Sequence, residues 1–154
     1  TAYNGTPINI YGGREGSLAA LAITTLMGGA PMLYSSQECA QASAIDFMKY
    51  YNYIWAKEAD YTDRVEQIMS IRKENKVFAY GATNDFSGGN FVMFTRLDYP
   101  AEALVVVNVR NGEQTVTLPS DYVGKTMTDA IKQESVNLPE SINLGAYEFR
   151  VWIK

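Results

Sequence analysis

The side chains able to carry out chemistry are few and scattered. Asp60, Asp63 and Glu66 form the densest carboxylate cluster, the kind of grouping that serves a metal ion or acid–base work. Their placement at a helix start is better explained by capping and by the helix dipole. Gly12-Gly13-Arg14-Glu15-Gly16 has the glycine density of a phosphate-cradling loop. It lacks the lysine and the preceding strand that such a loop uses, so it reads as a flexible turn. Histidine is absent, and Cys39 is the single cysteine. Ser-His-Asp and Cys-His catalysis, an intramolecular disulfide, and multi-cysteine or histidine-ligated metal sites are thereby excluded within the chain. Cys39 reads as a small buried side chain, and no metal or cofactor is expected. Trp152 falls on the polar face of the last strand, beside Glu148 and Arg150. There its ring could stack on a sugar face. The plainer reading, that it covers the preceding helices or shields a sheet edge, is preferred.

Composition limits the rest. With 13 Lys plus Arg against 17 Asp plus Glu, the net charge is −4, which argues against a nucleic-acid partner. Over 154 residues, 47% hydrophobic content is enough to bury a core and rules out disorder as the whole answer. The apolar run 18–34 is interrupted by Gly28-Gly29 and Pro31 and is too short for a membrane span. Thr1–Arg14 has neither the basic start nor the apolar run of a signal peptide, and the compartment stays open. The Asn4-Gly5-Thr6 sequon is a pattern that chance often supplies.

The elements divide into two halves, 1–76 and 77–154. In the first, Ser17 is expected to cap an all-round apolar helix from Leu18 to Met27, which Gly28-Gly29 stops. Pro31–Tyr34 reads as a short buried strand, so that helix, turn and strand form the αβ half of a parallel unit. Residues 44–58 read as a helix through Phe47, Tyr51, Ile54, Trp55 and Glu58. A helix over 62–75 is expected from an Asp63/Glu66 capping box and a stripe of Val65, Ile68, Met69 and Arg72. The second half alternates with period two. Strands are expected at Phe91–Leu97, Leu104–Arg110, Thr115–Leu118 and Ala146–Ile153, with Tyr147, Phe149, Val151 and Ile153 facing inward. The expected fold class is α+β: an antiparallel β-sandwich preceded by a mainly helical segment.

Particular runs carry a resemblance. Leu26-Met27-Gly28-Gly29-Ala30-Pro31-Met32-Leu33-Tyr34-Ser35-Ser36-Gln37-Glu38 resembles the motif around the eighth barrel strand of α-amylase-type glycoside hydrolases (glycoside hydrolase family 13). Ser36 stands where that family usually has glycine. Ile68–Lys76 followed by Tyr80-Gly81 is similar to the last barrel helix and the exit into the C-terminal domain. Phe94-Thr95-Arg96, Val105–Asn108 and Leu144–Val151 are similar to strands of that domain. Tyr3-Asn4-Gly5-Thr6 resembles a segment just beyond the Asn-His-Asp motif.

The resemblance implies that residues 1–76 are the end of a (β/α)8 catalytic barrel and 77–154 the C-terminal β-sandwich of an enzyme acting on α-glucans. Its chemistry needs two carboxyl groups across the scissile bond, and the family adds a third that orients substrate. All three lie upstream of the stretch that this chain resembles, so no catalytic residue carries over. The chain should be inactive alone and should stabilise the barrel of its parent, through which it would meet α-glucan. Glu38 sits where barrel loops meet substrate, giving it a supporting role there; closing the loop by hydrogen bonds is the favoured alternative. Without the barrel, the helices are expected to dock on one sheet or to exchange between chains of a homodimer. Two other classes stay open, namely a sandwich that itself binds carbohydrate and an inert interaction or scaffold domain.

Overall fold

A computed structural model describes residues 5–34, 36–44, 46, 48–50, 52, 55 and 59–154. The N-terminal half is helical. After the short α1 (Pro7–Ile10), the chain enters α2 (Gly13–Leu26) through Gly12 in the left-handed conformation. Gly16 is obligatory at this entry, because a Cβ would lie 1.4 Å from the Tyr11 carbonyl oxygen. The segment Gly12–Gly16 is thus the start of a helix rather than a free turn. Ser17 is a correction too. It lies inside α2, buried, and its hydroxyl shares a 2.9 Å hydrogen bond with the Tyr61 hydroxyl instead of capping. Gly28 and Gly29, both at positive φ, end α2 as expected.

Pro31–Tyr34 is not a strand. Among the described residues no strand pairs with it, Met32 is 78% exposed and Tyr34 is exposed as well. A lone extended segment lacks the ladder of backbone hydrogen bonds that a neighbouring strand supplies. A single 3-10 turn, Gln37–Cys39, follows. Of the helix expected over 44–58, Phe47, Tyr51, Ile54 and Glu58 lie outside the described residues, and those described, including exposed Trp55, are not helical. The long α3 (Ala59–Glu74) starts before the anticipated box, so Asp63 sits in its second turn and cannot cap. Val65 and Ile68 are buried against Leu18, Leu21 and Ala22 of α2, as the stripe requires. Arg64 pairs with Glu15 at 2.6 Å across the two helices.

The short α4 (Val77–Tyr80) leads into eight strands: β1 (Ala82–Asp85), β2 (Phe91–Asp98), β3 (Ala101–Asn108), β4 (Gln114–Thr117), β5 (Thr126–Asp129), β6 (Glu134–Asn137), β7 (Ser141–Leu144) and β8 (Phe149–Ile153). All pairings are antiparallel. Six strands form one sheet in the order β1-β2-β3-β8-β5-β6, and β4 pairs with β7 in a second.

Both faces of the large sheet are covered. On one, Phe94, Val105, Val107 and Val151 pack with Ala19 and Leu26 of α2, Ile71 of α3, and Phe78. On the other, Met93, Leu104, Val106 and Trp152 pack with Val116, Leu118 and Leu144 of the smaller sheet and its flanks. The helices therefore dock on one sheet, one of the two arrangements expected for them. Trp152 is the correction with most consequence. It pairs with Leu104 across β8 and β3 and is only 3% exposed, so it lies inside the sandwich rather than on a polar surface. Period-two alternation shows which residues share a face, not whether the second face is wet.

Candidate functional site

The two residues anticipated at a site are far apart in role. Trp152 offers no free ring face, because the sandwich core closes over it. Glu38 lies in the Gln37–Cys39 turn, half-buried, and its backbone carbonyl accepts a 2.8 Å hydrogen bond from the Thr62 hydroxyl of α3. This contact ties the loop to α3 and is made by the backbone, whatever the Glu38 carboxylate does. Beside it, the Gln37 side-chain oxygen accepts from the Tyr34 N–H at 3.5 Å. Cys39 is half-buried rather than fully buried. Burial, with a smaller effect from the Glu38 charge, raises its thiol above the ordinary range, which disfavours the reactive thiolate. Among the described residues, no group of three or more His, Cys, Asp or Glu is placed to hold a metal ion. No helix of the described residues is long and apolar enough to cross a membrane.

What the structure does bring together is a pair of arginines at the seam between helices and sandwich. Arg72 of α3 donates from Nη1 to the carbonyls of Thr25 at 2.7 Å and Phe78 at 3.0 Å, and from Nη2 to that of Gly29. Arg96 of β2 donates from Nη1 to the Met27 carbonyl and the Thr83 hydroxyl. Its Nε reaches the Val77 carbonyl at 3.4 Å, and its Nη2 the Phe78 carbonyl at 3.2 Å. The acceptors are the orphan carbonyls at the end of α2 and those of the α4 turn, where the negative end of a helix dipole favours a cation.

Arg96 is buried, and desolvation, with a smaller effect from the Arg72 charge, holds its pKa below the usual arginine range. A planar fork with five donors can serve this many carbonyls at once, which an ammonium cannot. Gly28, at φ +132°, leaves room for the clasp, since a Cβ there would lie 2.8 Å from Arg96 Nη1. The sequence marked both arginines as motif positions, but nothing in their spacing showed that they converge.

A second polar cluster closes the far side of the sandwich. Glu102 of β3 binds the Lys125 ammonium at 2.8 Å and Lys154 at 3.6 Å. Burial pushes its carboxyl up, but Lys125, Lys154 and the Tyr122 hydroxyl outweigh that and leave it below the ordinary value. The Tyr122 hydroxyl, desolvated and beside Glu102, is pushed up to about 12. Lys125 also sits 4.2 Å over the Tyr122 ring.

The remaining feature is an unfilled side of α2. One groove of about 390 Å³ is lined by Tyr11, Ala19, Ala20, Ile23, Val109 and Tyr147 among others. A neighbouring groove of about 280 Å³ runs past Ser17, Leu21, Thr24, Pro31 and Met32. Tyr11 and Ala20 belong to both linings, so the two grooves meet along the strip of α2 around Ala20, and much of their lining is apolar.

No protein-family model and no curated protein matches this sequence. Solved structures do match. The α-amylase of Anoxybacillus superposes with a TM-score of 0.76 at 16% identity, covering 88% of this chain but 31% of that one. The α-amylase of Geobacillus thermoleovorans, solved with acarbose, gives 0.74 at 16% identity, covering 91% and 33%. The maltogenic amylase of S. marinus gives 0.71 at 17% identity, covering 88% and 19%. The fold of this chain is that of a part of an α-amylase-type glycoside hydrolase, an antiparallel sandwich with a helical segment packed on one sheet. The chain spans about a third of the length of the two α-amylases and less of the maltogenic enzyme.

Proposed function

We propose that this chain is the non-catalytic C-terminal portion of an α-amylase-like glycoside hydrolase acting on α-glucans, in which it stabilises the catalytic barrel. Residues 1–76 are then the last part of the (β/α)8 barrel and 77–154 the closing sandwich. The observation that carries the reading is the asymmetry of α2. Most of it is sealed by α3 and the sheet, while the strip around Ala20 opens into two adjoining grooves beside Pro31–Tyr34, which pairs with no strand among the described residues. An extended segment without neighbours, next to an apolar helix face, is what remains when the adjoining strands and helices of a closed cylinder are missing. The fold shared with a part of α-amylases supports the same reading. Within it the arginine clasp joins barrel to sandwich, and Glu38 lies on a loop at the substrate end of the last strand, its backbone held by Thr62.

The test extends the protein with the sequence encoded upstream of Thr1, which should include an Asn-His-Asp segment. Hydroxyl-radical footprinting should label Met32 and Tyr34 strongly in the 154-residue chain and weakly in the extended one. Equal labelling would contradict the proposed packing. In the isolated chain the same open face is available to a second copy, and sedimentation velocity would then report a homodimer that Met32→Lys dissolves.

A further inference from the structure

We propose that Asn111-Gly112, in the turn between β3 and β4, is a self-modifying site. Asn111 converts there spontaneously to aspartate and isoaspartate, and the isoaspartyl form opens the turn. Asparagine is labile because a main-chain nitrogen can attack its side-chain amide, and three features of this turn favour that attack. Asn111 is exposed, and no hydrogen bond among the described residues holds its side chain. The Gly112 N–H is equally without a partner, so losing its proton sacrifices no contact. Gly112 has no side chain to obstruct the approach, and nothing lies within 4 Å of where its Cβ would stand. The other described asparagines lack this combination. Each precedes a residue with a side chain, and Asn84, Asn137 and Asn143 of the strands are also hydrogen-bonded. Asn4, of the other Asn-Gly pair, lies outside the described residues.

The step balances with water alone. Solvent hydroxide takes the Gly112 N–H proton, and the nitrogen lone pair attacks Cγ of Asn111. The N–Cγ bond forms and the Cγ–Nδ2 bond breaks. Nδ2 leaves as ammonia with a proton from water, which regenerates the hydroxide, and a succinimide ring remains. Water then breaks one of the two ring bonds to that nitrogen. Breaking N–Cγ gives aspartate with the main chain unchanged. Breaking the bond to the Asn111 carbonyl carbon gives isoaspartate, whose main chain runs through Cβ and Cγ and is longer by one atom. Nothing is oxidised or reduced.

The fold makes that extra atom consequential. Buried Asn108 clasps the turn at both ends: its Oδ1 accepts from the Arg110 N–H at 2.9 Å, and its Nδ2 donates to the Gly112 carbonyl at 2.6 Å. Asn111 is the span between those contacts. The same Nδ2 donates to the Gly145 carbonyl at 2.7 Å, and the Arg110 carbonyl accepts from the Tyr147 N–H at 3.1 Å. A longer span does not fit between the same two contacts, and a buried amide that loses a partner is costly. The disturbance passes to the Gly145–Tyr147 turn and to Val109 and Tyr147, which line the larger groove beside α2.

Storage of the 154-residue protein in mildly alkaline buffer, followed by tryptic mapping, tests this. Peptide 111–125 should gain the mass of an amide-to-acid exchange, and methylation of the stored protein by isoaspartyl methyltransferase should fall in Asn111→Gln. Asn137 and Asn143, both in peptide 133–150, should convert at least about tenfold more slowly, since each precedes a leucine. Gly112→Ala should fold and melt as wild type, because its φ is not left-handed and its Cβ meets nothing. It should convert about tenfold more slowly than wild type, the side chain now obstructing the attack. Stored wild type should develop a lower-melting fraction that tracks its isoaspartyl content. Fresh Asn111→Asp, which has the charge without the extra atom, should melt as fresh wild type. Conversion at Asn111 no faster than at Asn143, or Gly112→Ala converting as wild type, overturns the site. Isoaspartyl protein that melts like unconverted protein overturns the opening of the turn. Neither result bears on the barrel reading.

Discussion

Arg96 shows what a single side chain contributes here. Its guanidinium joins β2 to the end of α2 and to α4, and truncating it would remove one of two donors from each of the Met27, Val77 and Phe78 carbonyls and open a void at the seam. Arg96→Ala is expected to cost about 3 kcal/mol, lowering Tm by roughly 6–12 °C. Arg96→Lys should recover little of that loss, because a point charge cannot span the acceptors. Differential scanning calorimetry checks both, and a Lys variant melting like wild type would remove the fork from the explanation. Ser36 makes the opposite case. It is held at φ +54°, and its hydroxyl is buried with no hydrogen-bond partner. Ser36→Gly should therefore stabilise by about 1 kcal/mol, by relieving left-handed backbone strain and an unmet polar group; a lower Tm would contradict this. The departure at position 36 was legible in the sequence as serine in a glycine position. The arginine clasp was not, since its acceptors are backbone carbonyls, which every residue supplies.

The elements depend on one another more than the sequence suggested. Residues 77–154 read as a sandwich complete in itself, yet one face of its main sheet is sealed by Ala19 and Leu26 of α2 and Ile71 of α3. A protein limited to 77–154 would expose Phe94, Val105 and Val151 and should bind 8-anilinonaphthalene sulfonate strongly at a Tm well below that of the full chain. A dye-silent fragment that melts like the full chain would show the helices to be dispensable. The two-sided burial was readable in part, because Leu104-Val105-Val106-Val107 is continuously apolar, the mark of a strand covered on both faces. The same clue would have placed Trp152, on the neighbouring strand, inside. Pro31–Tyr34 failed for the converse reason: an apolar pattern proposes a strand, but pairing needs a neighbour that local sequence does not supply.

Also at this scale, Glu102 ties β3 to the C-terminal end and to the loop before β5. Its folded pKa lies below the ordinary 4.5, so its contribution is present above that value and is lost as pH falls through the folded pKa. Glu102→Gln should thus lower Tm at neutral pH, and the difference from wild type should close as the medium is taken well below 4.5. A Tm difference that persists undiminished in acid would assign the effect to packing instead of charge.

For the molecule as a whole, the grooves beside α2 are the feature on which the proposed account rests, that of a supporting portion whose reacting partners lie elsewhere. The strand alternation and the ordered motifs made the architecture readable before any coordinates. The exposure of Tyr80 and Tyr99 was not, because it follows from where a helical turn and a hairpin tip fall in space. Reducing-sugar release from soluble starch tests the central claim most directly, comparing the 154-residue chain with the protein extended by its upstream coding sequence. The account predicts blank-level release from the first and sustained turnover from the second. Turnover by the 154 residues alone, or none from the extended protein, would contradict it.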